Sequence, residues 1–127
     1  MTTISNLMGS GVPPLQAQMT VGKVTTGLTG GGTSSQANAL AVPSDVCVFS
    51  TVALNSGARL PATGPTSGQA GDILVIANFG ANPLLVYPAT GGNISNAGVN
   101  TAVSVPVNKT ADFYCLGANL WAASIGT

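Results

Sequence analysis

The chain has 127 residues, of which only three are basic and three acidic, and it contains no histidine. This length suits one domain with its own core and leaves too little chain for two. The cations Lys23, Arg59 and Lys109 are scattered along the sequence, which argues against the polybasic surface that nucleic acid or anionic lipid requires. Apolar runs fall far short of the about 20 residues that cross a bilayer, so we expect neither a nucleic-acid nor a membrane partner.

The scarcity of charge also bears on assembly. A soluble domain typically carries about 25% charged residues, whereas this chain has 5%. Either Ser, Thr, Asn and Gln side chains keep the surface hydrated, or a symmetric assembly covers much of it, and we favour the assembly. The first 20 residues have neither a basic segment nor a continuous apolar segment, so we expect no secretory signal.

Residues 1–35 differ in composition from the rest of the chain. They contain all three methionines, the Pro13-Pro14 pair and the glycine run from Gly30 to Gly32, with only short apolar patches between them. Neither a helical period nor a long alternation is present. We therefore predict an extended N-terminal arm over residues 1–35 that a neighbouring molecule would order.

Strand-like segments begin at residue 36. The segment 36–42 alternates and stops at Pro43, and the segment 45–54 is apolar on both of its faces. A short run, 58–60, leads into a loop over 61–71 that is rich in Pro and Gly. That loop is longer than most connections, so it either carries contacts or crosses between sheets.

The segment from Gly71 to Pro88 holds the longest uninterrupted apolar run. Residues 73–77 and 84–87 are rich in β-branched and aromatic side chains and are separated by turn-forming residues. This pattern predicts two strands joined in a hairpin. Both faces of the first strand are mostly apolar, so we expect a second sheet or another subunit on each side. One face would carry Ile73, Val75, Ala77 and Phe79, and the other Leu74, Ile76 and Asn78.

The last third of the chain predicts three more strands. Residues 101–107 alternate, and Pro106 among them indicates an edge strand because proline cannot donate to a ladder. Residues 110–116 and 120–125 are expected to form a hairpin. Together these patterns give about eight short strands and no helix, which predicts an all-β fold: one antiparallel β-sandwich or small jelly-roll-like barrel over residues 36–127. We expect the following side chains in the core or an oligomer interface: Phe49, Ile73, Val75, Phe79, Tyr87, Phe113 and Trp121.

Catalytic chemistry has little support in this sequence. Without histidine or glutamate, the usual general bases are reduced to Asp45, Asp72 and Asp112, each near the end of a predicted strand. Two carboxylates could serve glycoside hydrolysis, but a solvated turn suits these positions better. Cys47 and Cys115 fit no metal spacing; they are either small buried hydrophobes or a disulfide between facing strands. We predict no enzyme, no metal site and no cofactor.

Three stretches carry a resemblance to a known group of proteins: GARLPA from Gly57, GDILVIANFGANPLLVYPATGGNI from Gly71, and AVSVPVNKTADFYC from Ala102, followed by Trp121. This part of the chain resembles a β module of tailed-bacteriophage virion structural proteins. The module occurs in head decoration or cement proteins and in fibre or tail parts. The resemblance implies no catalytic motif.

For a chain of this size the resemblance implies a capsid decoration protein on the virion surface, assembled in the host cytoplasm. It implies a homotrimer whose N-terminal arm lies over the major capsid protein. The alternative that it leaves open is a fibre or tail domain that recognises a host surface or glycan through the loops 61–69 and 91–98. The arm residues expected to contact the capsid are Leu7, Met8, Val12, Pro13, Pro14, Leu15, Met19 and Val21.

Overall fold

The computed structural model describes residues 23–63 and 69–126, and all regular secondary structure in these ranges is β-strand. The predicted all-β class is therefore confirmed. The strands are β1 (Val24–Thr29), β2 (Leu40–Ala41), β3 (Val46–Thr51), β4 (Gly57–Arg59), β5 (Ile73–Asn78), β6 (Leu84–Tyr87), β7 (Asn93–Ile94), β8 (Val103–Val105), β9 (Lys109–Gly117) and β10 (Leu120–Ile125).

The strands form two sheets of mixed direction. A six-stranded sheet has the order β1-β3-β5-β9-β10-β7, and a four-stranded sheet has the order β2-β4-β6-β8. From β1 to β6 successive strands lie in different sheets. Each strand therefore pairs with the strand two places earlier in the chain, and the two run in the same direction. The pairs β1-β3, β3-β5, β2-β4 and β4-β6 are consequently parallel. The prediction of a wholly antiparallel architecture is wrong for this reason.

The predicted hairpin between β5 and β6 is also wrong. The two strands are consecutive in the chain, but β5 lies in the six-stranded sheet and β6 in the four-stranded sheet. The loop between them crosses from one sheet to the other and is fixed by Asn78. Its Nδ2 donates to the carbonyl of Asn82 at 2.9 Å and to that of Val105 at 3.0 Å, while its Oδ1 accepts from the amide of Gly80 at 3.0 Å. A turn secured in this way leads across the core instead of back along β5.

Two other predicted features are present. Strands β9 and β10 pair antiparallel as the expected hairpin, with Trp121 opposite Cys115. Strand β8, which Pro106 follows directly, lies at the edge of the four-stranded sheet. Each agrees with a purely local signal: a short turn between two alternating segments, and a proline that cannot donate.

One hydrophobic core lies between the sheets. It takes Cys47, Phe49, Leu74 and Phe113 from the six-stranded sheet and residues such as Val86 from the four-stranded sheet. Trp121, Phe49 and Phe113 are the largest of its fully buried side chains. Burying each of these contributes about 1.5 to 3 kcal/mol or more, so this layer supplies the main stabilisation of the fold.

Part of the predicted N-terminal arm, residues 1–35, belongs to the six-stranded sheet instead. Residues 24–29 form β1 and pair in parallel with β3, and the amide of Gly30 donates to the carbonyl of Thr51 at 2.9 Å. This strand was not predicted because its alternating pattern is interrupted. The register shifts between Thr25 and Leu28, where Gly27 has a φ of 70°. A bulge breaks the alternation that marks a strand. Residues 1–22 lie outside the described residues, and with them all the predicted capsid contacts of the arm.

The predicted core or interface residues divide into two groups. Phe49, Tyr87, Phe113 and Trp121 are buried, and Val75 is half-buried. Ile73 and Phe79, by contrast, are 53% and 56% exposed. They are not core residues of this chain, because alternation along β5 points Leu74 and Ile76 at the second sheet.

The cysteines are buried and unbonded. Cys47 pairs with Ile76 on β5, whereas the amide of Cys115 donates to the carbonyl of Asp72, which directly precedes β5 and lies four residues before Ile76. At about 3.3 Å per residue this offset alone separates them by about 13 Å. A disulfide requires Cα atoms less than about 7 Å apart, so the disulfide alternative is excluded and both thiols serve as small core hydrophobes.

Candidate interaction surface

The acidic residues of the described ranges do not cluster into a group that could hold a metal ion. No group of three or more His, Cys, Asp or Glu side chains occurs within residues 23–63 and 69–126. Asp72 accepts a hydrogen bond from the amide of Gln69 at 2.9 Å, and Asp112 accepts one from the hydroxyl of Tyr114 at 3.4 Å. Local turn and strand contacts account for both carboxylates.

The feature with most interaction potential is the side of the six-stranded sheet that faces away from the core. Residues paired across neighbouring strands project to the same side of a sheet. Val24 pairs with Val46, and Val46 with Val75, which aligns three valines in a row across β1, β3 and β5. Ile73 pairs with Tyr114 on β9. These pairings bring apolar side chains from four strands together on one side.

We call this apolar patch the outer face. Val24 is 57% exposed, Ile73 53%, Tyr114 37% and Leu116 57%. The smaller valines between them are half-buried by their neighbours. No other element of the described chain covers the patch. The outer face consists of Val24, Val46, Val48, Ile73, Val75, Tyr114 and Leu116.

Polar groups flank the outer face on one side. The row of valines continues from Val75 to Asp112 on β9 and to Ser124 on β10. Asp112 is the single charged residue that the described strands place on this side of the sheet. Its carboxylate is half-buried and bonded to the Tyr114 hydroxyl. The result is an apolar area over β1, β3, β5 and part of β9, with a polar border along the row of Asp112 and Ser124. Beside Tyr114 the neighbour on β10 is the apolar Ala122.

The expectation that both sides of β5 are covered is therefore met on one side only. The four-stranded sheet packs on Leu74 and Ile76, whereas Ile73 and Val75 face outward. The sequence contained the signal for this surface, because 45–54 and 73–79 are apolar at both alternating positions. It did not reveal Val24, Tyr114 or Leu116 as members, since their membership depends on which strands become neighbours.

A second surface feature is a groove beside the four-stranded sheet. It encloses about 420 Å³, and Arg59 supplies its one charged side chain. The Arg59 guanidinium donates through Nη1 to the carbonyls of Gln36 and Ala37, both at 3.1 Å. The groove therefore has one cation, already held by backbone carbonyls, one further polar side chain in Thr90, and apolar side chains along the rest of its lining. Its lining residues are Ala41, Val42, Arg59, Leu60, Pro61, Ala62, Ala89 and Thr90.

The predicted loop contacts are divided between described and undescribed residues. Pro61 and Ala62 line the groove, whereas residues 64–68 lie outside the described ranges. In the region 91–98, the amide of Gly91 donates to Asn100 Oδ1, and that of Gly98 to Asn93 Oδ1 at 3.5 Å. Side-chain carbonyls thus hold this turn in shape.

No protein-family model matches the chain, and neither the curated proteins nor the solved structures contain a significant match. Over residues 23–63 and 69–126 no helix is long and apolar enough to cross a membrane.

Proposed function

We propose that this chain is a structural protein of a tailed-bacteriophage virion, a decoration protein that binds the head surface and stabilises neighbouring capsomers. In this proposal its two sheets form a β-sandwich head, copies of the chain associate as a homotrimer, and the N-terminal segment contacts the major capsid protein. The protein acts by binding and has no catalytic role, metal or cofactor.

The observation that carries the proposal is the outer face. A chain with six charged residues among 127 leaves a patch of valine, isoleucine, leucine and tyrosine uncovered on its largest sheet. Exposed contiguous apolar patches usually mark protein interaction sites. A protein that repeats across a shell needs surfaces that bind other subunits, and an exposed apolar patch can serve as such a surface. A monomeric enzyme has no such need.

The N-terminal segment supports the capsid-binding part of the proposal. Residues 1–22 contain no charged side chain and carry apolar residues at intervals. Fully extended, 22 residues reach about 70 Å, enough to extend onto a neighbouring capsomer. Several such segments on one oligomer would act together, because each bound segment raises the effective concentration of the next. The contacts belong to the residues from Leu7 to Val21 named above.

A binding experiment with heads tests the proposal. The full-length chain is mixed with undecorated heads assembled from the major capsid protein of the same virus, and bound protein is measured by co-sedimentation. We expect saturation at a fixed ratio of this chain to capsid protein, and heads that resist heat better after binding. Heads of an unrelated phage serve as the control. Absence of saturable binding to the matching heads would contradict the proposal.

The groove beside Arg59 favours a second candidate function, a fibre or tail domain that recognises a host glycan. A concave site with one guanidinium among mostly apolar side chains suits a sugar that carries a carboxylate. Glycan-array binding that is lost in Arg59→Gln, together with no binding to heads, would favour this function over decoration. Head binding that Arg59→Gln leaves unchanged would favour decoration.

A further inference from the structure

We propose that the outer face is the surface through which copies of this chain associate, packing against the outer faces of other copies. The inference rests on the proposed function only in that decoration calls for an oligomer. It adds the surface and the residues that hold the oligomer together.

The size of the sheet is sufficient for a self-association interface. Five of the six strands, all except the two-residue β7, are six to nine residues long. At about 4.8 Å between strands and about 3.3 Å per residue, these five cover about 24 by 20 Å. Two such faces in contact would bury about 1,000 Å² in total, about the minimum expected of a specific interface. A face that stacks on the same face of one other copy joins two chains, so in the homotrimer of the proposed function the three outer faces would meet around a threefold axis.

The chemistry of the face fits a second copy of the chain. Specific interfaces have an apolar centre with few charges and a polar rim. The valines from Val24 to Val75 and the neighbouring Ile73 form such a centre, and Asp112 and Ser124 border it. A second copy offers the same uncharged centre. A strongly charged partner would instead leave its charges desolvated against valine, which costs free energy.

The composition of the whole chain favours the same occupant. Ile73, Val75, Tyr114 and Leu116 stand on the sheet that also supplies most of the core. An apolar patch on a chain with so little net charge has no electrostatic repulsion to keep copies apart. When identical faces associate, the patch of every copy is covered. A different partner that is less abundant than this chain would leave some copies with an exposed patch.

The test adds like charges to the face of the full-length chain. Ile73 and Leu116 are both more than half exposed, so Ile73→Lys with Leu116→Lys leaves the core untouched. The matched control is Leu54→Lys with Val99→Lys, which replaces two exposed apolar residues in turns away from the outer face. Sedimentation equilibrium measures the mass of each protein, and circular dichroism measures its fold.

We expect the natural chain and the control variant to form the same oligomer. We expect the Ile73→Lys, Leu116→Lys variant to be folded and monomeric, with a dissociation constant raised at least about tenfold, because its charges would be buried without partners. If that variant fails to fold, Ile73→Ser with Leu116→Ser should weaken association in the same direction. Undiminished association in a folded face variant, or equal dissociation in the control, would overturn the inference.

A monomeric natural chain at about 100 μM, well above the micromolar constants of weak interfaces of this size, would also overturn it. If Tyr114 were then protected from hydroxyl-radical modification, residues 1–22 of the same chain would be the occupant instead. The outcome is separable from the proposed function. Head binding by a monomer would contradict this inference alone, and an oligomer that ignores heads would contradict decoration alone.

Discussion

At the residue scale, Asn78 makes the polar connection between the two sheets. It ends β5 in the six-stranded sheet, is fully buried, and donates to the carbonyl of Val105 on β8 of the four-stranded sheet. It also holds both ends of the crossing loop through Gly80 and Asn82. A buried amide that satisfies three backbone groups at once is expensive to remove, since each group left unpaired loses its hydrogen bond without regaining water.

We predict that Asn78→Ala lowers the free energy of unfolding by about 2 to 4 kcal/mol. Three hydrogen bonds are lost, and the amide of Gly80 remains buried without its acceptor. Denaturation in urea measures the change. Ser104→Ala is the matched control, because Ser104 is exposed on β8, and its removal should cost less than about 0.5 kcal/mol. Equal effects of the two substitutions would refute the role given to Asn78.

Trp121 and Phe79 provide a second prediction, because the sequence treats them alike and the structure does not. Trp121 is 1% exposed in the shared core, whereas Phe79 is 56% exposed beyond the end of β5. We expect Trp121→Ala to lower the free energy of unfolding by about 3 to 5 kcal/mol, through the cavity it leaves. Phe79→Ala should cost under about 1 kcal/mol. Measurement at low protein concentration separates this comparison from association, and a large cost at Phe79 would contradict its exposed position.

At the element scale, β1 is not predicted by the sequence pattern, yet it contributes to the stability of the six-stranded sheet. Its bulge interrupts the alternating pattern, yet Leu28 still packs against the core and pairs with Phe49. Beyond the strand, Gly31 bridges to Gly57 on β4 with two amide-to-carbonyl bonds of 2.9 Å. This first crossing between the sheets therefore belongs to the folded domain and not to an arm.

Truncation tests that boundary. We predict that removing residues 1–22 leaves the melting temperature of the β domain nearly unchanged. Removing residues 1–30 should lower the free energy of unfolding by about 2 to 3 kcal/mol, since it deletes a parallel ladder and the buried area of Leu28. For a domain of about 100 residues this is about 10 °C or more in Tm. Equal stability of the two truncated chains would show that β1 is dispensable.

How far the sequence predicts this fold depends on whether a feature is local. The β9-β10 hairpin and the edge position of β8 follow from short turns and from Pro106, and both are present. The pairing of β5 with β3 and β9 does not follow, because an apolar strand has the same pattern whichever neighbours it has. The β5-β6 connection contains ordinary turn residues, and only the hydrogen bonds of Asn78 distinguish a crossing from a hairpin.

The candidate surface is subject to the same limit. Two-sided apolar alternation in 45–54 and 73–79 predicts that something covers both faces of these strands. It cannot assign one face to the second sheet and the other to solvent, because that assignment depends on the direction in which each loop crosses. Ile73 and Leu74 are adjacent and similar, yet one is 53% exposed and the other 7%. Tertiary topology alone separates them.

At the scale of the whole molecule, a domain with six charged residues among 127 has few groups for electrostatic association, so we expect its copies to associate through apolar contact. Electrostatic attraction between exposed charges weakens as salt screens it. Apolar association does not weaken when salt is added. Sulfate strengthens it, because this ion is excluded from the protein surface and so favours burial of that surface. The salt dependence of self-association therefore distinguishes the outer face from any contact that uses Asp45, Lys23 or the other exposed charges.

We predict that raising sodium chloride from about 50 to 500 mM changes the self-association constant by less than about threefold, because the Debye length already falls from above 10 Å to below 5 Å without affecting an uncharged interface. An equal ionic strength of sodium sulfate should tighten association. Sedimentation equilibrium over a concentration series measures both effects, with the Ile73→Lys, Leu116→Lys variant as the control that lacks the interface. A tenfold weaker association in sodium chloride would mean that charged groups hold the copies together. That result would contradict the assignment of the outer face as the self-association surface.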